Sequence, residues 1–253
     1  MIDREKFFAA LRKRESGLFG TSLSKGQIEG LNAILDEADG FGVETIAYIL
    51  ATAYHETGRT MQPVRETFAM TDEQAAARLE KAWKAGKLKW VKTPYWRPDE
   101  DGKYWIGRGY VQLTHRYNYE RLGPMVGVDL VADPDRAMEP KVAAKILVVG
   151  MLRGAFTGKA LSDYVPGDYV GARRIVNGND RARKIAEYAK SFETALRAAY
   201  TAEPLVLDRQ PTKEPSAPQR PITEPVRGIE AIIKAIVEAI VRLVAAILKG
   251  TKK

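Results

Sequence analysis

The 253-residue chain predicts a mainly α-helical domain with a cleft, then a proline-rich linker and a C-terminal amphipathic helix. Three observations carry that reading. Apolar residues recur three and four apart behind Ser, Thr or Asp caps, which is the spacing of one buried helix face. Alternating β-type runs are few, which argues against a doubly wound sheet. Composition then changes abruptly at Glu203.

Asp3 is placed to cap a helix running to about Lys13. Ser24 precedes a second, in which Ile28, Leu31, Ile34 and Leu35 share a face. A third spans 43–56, with Ile46, Ile49, Leu50 and Ala53 apolar, and Thr71 opens a fourth through Trp83. Residues 86–111, rich in Trp, Tyr, Gly and Pro, read as a loop or small hairpin. Further helices fit 115–122, 139–153 (Pro140 in the first turn), 168–176 and 180–200. Residues 1–202 therefore form the globular domain. Residues 203–226 carry six of the 13 prolines and little to bury, an extended linker.

Residues 227–253 hold the terminal helix. Its 229–248 stretch has eleven Ile, Val or Leu, and Glu230, Lys234, Glu238 and Arg242 form one narrow charged stripe. A central charge costs about 2.5–3.5 kcal/mol on the insertion scale against about 0.3–0.6 gained per large aliphatic, so spanning a bilayer is near break-even. Two partners remain open for this segment: self-association through heptad positions, or contact with an anionic membrane surface aided by Lys249, Lys252 and Lys253.

With 45% hydrophobic and 28% charged residues, the chain has the material for a real core. The absence of cysteine removes disulfides, thiolate metal sites and cysteine nucleophiles, and His55 and His115 are the only histidines. No metal or organic cofactor is expected. The first residues lack a secretory pattern, so synthesis in the cytoplasm is the expectation, with action on the cell wall after release. A formal charge of +8 predicts a polyanionic partner, yet no nucleic-acid motif accompanies it.

Several motifs fail. His55-Glu56-Thr-Gly-Arg59 lacks the second His of a zincin helix, and Gly107-Arg-Gly109 lacks the rest of a dinucleotide fingerprint. Gly154 to Lys159 is one residue short of a phosphate loop, and no nucleophile elbow is present.

Two glutamates do carry chemistry. Glu56 ends an apolar-faced helix, where desolvation favours the protonated form and raises its pKa, as a general acid needs. Gly58 and Pro63 break that helix, which lets Glu66 return across a gap. Facing carboxylates about 6.5–9.5 Å apart suit an inverting glycosidase. The alternative is a surface pairing of Glu56 with Arg59 or Arg65. A second stretch, Tyr104 to Tyr119, offers Gly107 and Gly109 for close approach, Gln112, Thr114 and Asn118 for neutral hydrogen bonds, and Trp105 or Tyr110 for stacking on a pyranose. Its aromatics fit a core equally well.

Together His55-Glu56-Thr57, the block Gly107 to Tyr119, and Arg174-Ile-Val-Asn177-Gly178 resemble glycoside hydrolase family 19. The resemblance runs from about residue 5 to 200. It is nearest to the family's phage endolysins and bacterial chitinases, with Leu161 to Tyr164 and Asn177 to Ala182 in keeping with that branch. It implies a lysozyme-like, two-lobed helical fold and inverting hydrolysis of a β-1,4 bond between N-acetylated sugars. Glu56 takes the acid position and Glu66 the base position, and Thr114 takes the position that helps hold the water. Gln112, Asn118 and Asn177 match substrate-contacting positions, and Arg174 opens the last motif. Plant members place the second glutamate farther along and use disulfides, unlike this chain. The implied activity is peptidoglycan hydrolysis by an endolysin; the alternatives are a chitinase and a non-catalytic wall- or membrane-binding protein. Glu56→Gln is expected to lower lysis of purified peptidoglycan by orders of magnitude while leaving the folded protein intact.

Overall fold

The computed structural model describes residues 2–89 and 91–200. The linker and terminal helix expected from the sequence lie outside the described residues. Among those described there are seven α-helices and no strand beyond two isolated bridges. The helices are α1 (Arg4–Leu11), α2 (Lys25–Glu37), α3 (Val43–Glu56), α4 (Asp72–Lys84), α5 (Arg116–Val126), α6 (Pro140–Leu152) and α7 (Ala182–Ala199). The mainly helical class holds.

The caps act as read. Asp3 accepts from the Lys6 amide, Thr71 from that of Gln74, and Ser24 and Gln27 bond each other's backbone in a capping box. α3 has the span expected, and its face of Ile46, Ile49, Leu50 and Ala53 is fully buried, chiefly against α7. α1 also packs on α7, and α2 on α6. Gly30 lets α2 approach the site's supporting loop: a Cβ there would lie 1.6 Å from the Met61 carbonyl oxygen.

Two segments depart from expectation. α5 runs on through Pro124 and stops at Gly127, whose φ of 70° gives the left-handed turn of a C-terminal cap. The helix expected over 168–176 is only a 3₁₀ turn, Gly171–Ile175. Asp168 binds the Gly171 amide with its side chain (2.7 Å), a local bond that competes with regular helix.

The core divides in two. The larger cluster joins α1–α3 and α5–α7. A smaller one gathers Ala69, Ala75, Leu79, Leu88, Val91, Trp96 and Ile106 beneath α4 and the loop after it. Buried charge lies beside this second lobe. Arg108 is paired with Asp72 and Asp135, and Arg65 reaches the same two carboxylates at 2.5 and 2.7 Å. These pairs tie together α4, the Gly-Arg-Gly block and the turn at Pro134–Met138.

Candidate functional site

Glu56 is the last residue of α3, and its carboxylate is nearly closed to solvent. It lies neither against Arg59 nor against Arg65. Arg173, 1% exposed, donates from Nη1 to Glu56 Oε1 at 2.6 Å. Burial pushes Glu56 upward, but the Arg173 guanidinium and the neighbouring His55 outweigh it, so its pKa falls below the ordinary carboxylate value. This corrects the raised pKa expected from desolvation alone. Around the pair, Arg173 Nη2, Asn177 Nδ2 and His55 Nε2 are buried without a hydrogen-bond partner among the described residues. Asn177 spends its Oδ1 on the Gly178 amide at 2.8 Å, which leaves the unpartnered amino group beside this turn.

Glu66 sits in a different setting. It opens a 3₁₀ turn and is 2% exposed. Its Oε2 accepts from the Gly107 amide at 2.8 Å, and Tyr95 donates a short hydrogen bond to Oε1. The backbones are tied too, with the Glu66 amide on the Gly107 carbonyl (2.7 Å) and the Val64 amide on that of Gly109 (3.2 Å). No cation pairs directly with Glu66 among the described residues. Burial therefore dominates and raises its pKa, although both donors and the more distant Arg108 pull the other way.

Gly107 brings further candidates to Glu66. A Cβ on Gly107 would stand 2.7 Å from Gln112 Oε1 and 3.2 Å from Thr114 Oγ1. Gln112 donates to the Val64 carbonyl (2.8 Å), Thr114 to the Gln112 carbonyl (2.7 Å), and Asn118 to the Thr114 carbonyl (2.7 Å). The two carboxylate segments also meet, since Gly58 lies against the Phe68 ring. Left-handed φ values at Arg59, Met61, Thr67, Phe68, Gln112 and His115 concentrate backbone strain in these turns, as functional sites often do.

Three sequence expectations do not fit. Tyr110 is 0% exposed, with its hydroxyl on the Met61 carbonyl, and Trp105 is 6% exposed, with its indole N–H on Asp99. Both rings belong to the core, so neither is open to stack on a sugar. The exposed aromatic of this block is Tyr117, 54% exposed and parallel to the His115 ring. Arg174 points outward to solvent, and it is Arg173 that meets Glu56. Arg174 is the first residue of the family-like motif, and the counter-charge comes instead from the residue just before that motif. The Arg173-Arg174 doublet was the available signal, since a buried glutamate needs a counter-charge. Nothing in the sequence pointed to Tyr95, which reaches Glu66 from 29 residues away.

Residues 39–152, which include both glutamates and the Gly-Arg-Gly block, match the family model of glycoside hydrolase family 19 described as chitinase class I. Over this stretch the chain is similar to glycoside hydrolase family 19. Two plant chitinases show how local the likeness to individual relatives is. Chitinase 11 of Oryza sativa subsp. japonica is 48% identical over 40 residues, 16% of this chain and 16% of that protein. Endochitinase 1 of Theobroma cacao is 45% identical over 49 residues, 19% of this chain and 15% of its own. The chain thus spans about a sixth of the length of the curated relatives it matches. Among solved structures, a family 19 class IV chitinase from Zea mays is similar with a TM-score of 0.40 at 20% identity, covering 76% of this chain and 90% of that one.

Proposed function

We propose that this protein is a member of glycoside hydrolase family 19 and that it hydrolyses the β-1,4 bond between N-acetylated sugars by inversion, with peptidoglycan as its substrate. The observation that carries the reading is the pair of buried glutamates, Glu56 at the end of α3 and Glu66 at the start of a strained 3₁₀ turn, held in opposite electrostatic settings. Glu56 is the acid that protonates the glycosidic oxygen. Glu66 is the base that takes a proton from water, and Thr114 orients that water beside it. Gln112, Asn118 and Asn177 supply neutral hydrogen bonds to sugar hydroxyls and acetamido groups, and the unpartnered Asn177 amino group supports its part in this.

The electrostatics add a condition. Glu56 has the lowered pKa and Glu66 the raised one, so Glu56 gives up its proton at a lower pH than Glu66. The active arrangement, with the proton on Glu56, is the minority form of the free protein. The bell-shaped profile of kcat/KM then reports Glu56 on its acidic limb and Glu66 on its basic limb.

The +8 charge supports an anionic wall polymer as substrate, and we infer cytoplasmic synthesis with release onto the wall. Residues 229–248 would add membrane contact or self-association; light scattering and lipid binding of the whole chain against a truncation after residue 202 separate the two. Chitin is the second reading, favoured by the description of the matched family and by the names of the relatives. Purified peptidoglycan and chitin assayed side by side test both. Reducing sugar released from peptidoglycan supports the first, release from chitin alone supports the second, and release from neither overturns the hydrolase reading.

A further inference from the structure

We infer that Tyr95 is a positioning residue that sets the orientation and basicity of Glu66, an inference that rests on the base role proposed above. Its hydroxyl donates to Glu66 Oε1 while the Gly107 amide holds Oε2, so the two donors fix the rotation of the carboxylate plane. The phenol is itself held. Its ring meets Trp96 at 5.2 Å and His115 at 4.9 Å between centroids, both edge-to-face. Trp96 is anchored by donating its indole N–H to Glu80 at 2.9 Å, and it belongs to the small lobe's core. Tyr95 therefore connects the second lobe to Glu66, where the Gly107 amide connects the block that carries Gln112 and Thr114.

The chemistry follows from hydrogen-bond direction. A phenol that donates to a carboxylate stabilises its ionised form, and burial opposes that form. Both effects act here: burial raises Glu66, and the Tyr95 bond restrains the rise. Burial first, and Glu66 in addition, drive the Tyr95 phenol well above its usual range, so the hydroxyl keeps its proton and stays a donor. The other titratable groups facing the pair leave this role to Tyr95. Arg108 is committed to Asp72 and Asp135, and the Tyr119 hydroxyl lies between the Ile106 and Leu113 carbonyls. His115, pushed down by burial, faces the Tyr95 ring and forms no hydrogen bond with its hydroxyl. With Tyr95 in place Glu66 is ionised over a wider pH range and keeps one orientation.

The test is the titration of Glu66 in the full chain, read by NMR of protein labelled with ¹³C at the glutamate side-chain carboxyl, with Glu66→Gln assigning the signal. In Tyr95→Phe the Glu66 titration is expected about one pH unit higher, with roughly a tenfold loss in kcat and little change in KM. The basic limb of kcat/KM rises with it and the acidic limb stays. Replacement of Tyr95 by 2,3-difluorotyrosine, a stronger donor of nearly the same shape, moves the titration down, and it keeps the test decisive if the Phe variant folds poorly. Tyr169→Phe removes a remote Tyr–Glu bond, to Glu193 at 2.8 Å, and should leave the Glu66 signal in place. An unmoved Glu66 titration in both Tyr95 variants overturns the inference while leaving the base role intact. Full activity in Glu66→Gln overturns the base role itself.

Discussion

The surroundings of Glu56 and Glu66 solve the burial of a carboxylate in opposite ways. At Glu56 the solution is a counter-charge: Arg173 sits 2.6 Å away and holds the group ionised. At Glu66 it is a pair of hydrogen-bond donors without an adjacent cation among the described residues, and burial moves its pKa up. Removing one partner of a buried ion pair strands the other, whereas neutralising a carboxylate held only by donors removes a penalty. The same substitution should therefore have opposite consequences for stability at the two positions.

The largest expected effect is at Glu56. Glu56→Gln should lower hydrolysis by about 10²–10⁴-fold, the usual worth of a general acid. It should also cost about 3–5 kcal/mol of stability at pH 7, because Arg173 is left buried and unpaired. The structure thus revises the expectation that this variant keeps its fold intact. Adding Arg173→Gln should recover most of the stability, read by urea denaturation, and none of the activity. A Glu56→Gln variant as stable as the parent would break the comparison.

Glu66→Gln should lower hydrolysis by a similar factor, about 10²–10⁴, while stability moves the other way. A raised folded pKa means stability is fully present below the unfolded value of about 4.3 and is lost as pH rises through the folded one. The melting temperature of Glu66→Gln should therefore exceed the parent's at pH 8 and match it at pH 4. Glu56 has the reverse sign, its contribution being present above the unfolded value and lost as pH falls through its lowered folded pKa.

Smaller effects sharpen the picture near Gly107. Thr114→Val should cost about 2–10-fold in kcat, the worth of one hydrogen bond to the attacking water, and Thr114→Ser should restore it. Gly107→Ala places a methyl 2.7 Å from Gln112 Oε1, which must swing aside. The expected result is a several-fold rise in KM with the melting temperature little changed, since the crowded atom ends a flexible side chain. A loss confined to kcat would mean that Glu66, rather than Gln112, had been displaced.

Local rules made much of the fold legible. Ser24, Thr71 and Asp3 cap the helices they precede, and α3 begins and ends where its apolar face does. Short-range hydrogen bonding and a 3.6-residue period are enough for that. The reading slipped where local competition is close. Asp168 binds the backbone at Gly171, and a 3₁₀ turn stands where a helix was expected. It slipped again at Trp105 and Tyr110, because an aromatic beside glycine has the same composition in a core as on a cleft wall.

By itself the sequence determined the helical class, the two glutamates and the motif block that resembles family 19. Those depend on residue type and spacing along one chain. Tertiary structure decided what surrounds each carboxylate: Arg173 arrives from 117 positions away, Tyr95 from 29 and Gly107 from 41. Whether a buried carboxylate holds its proton is set by the charges and donors within a few ångströms of it. Chain spacing carries no record of those neighbours until the helices have packed.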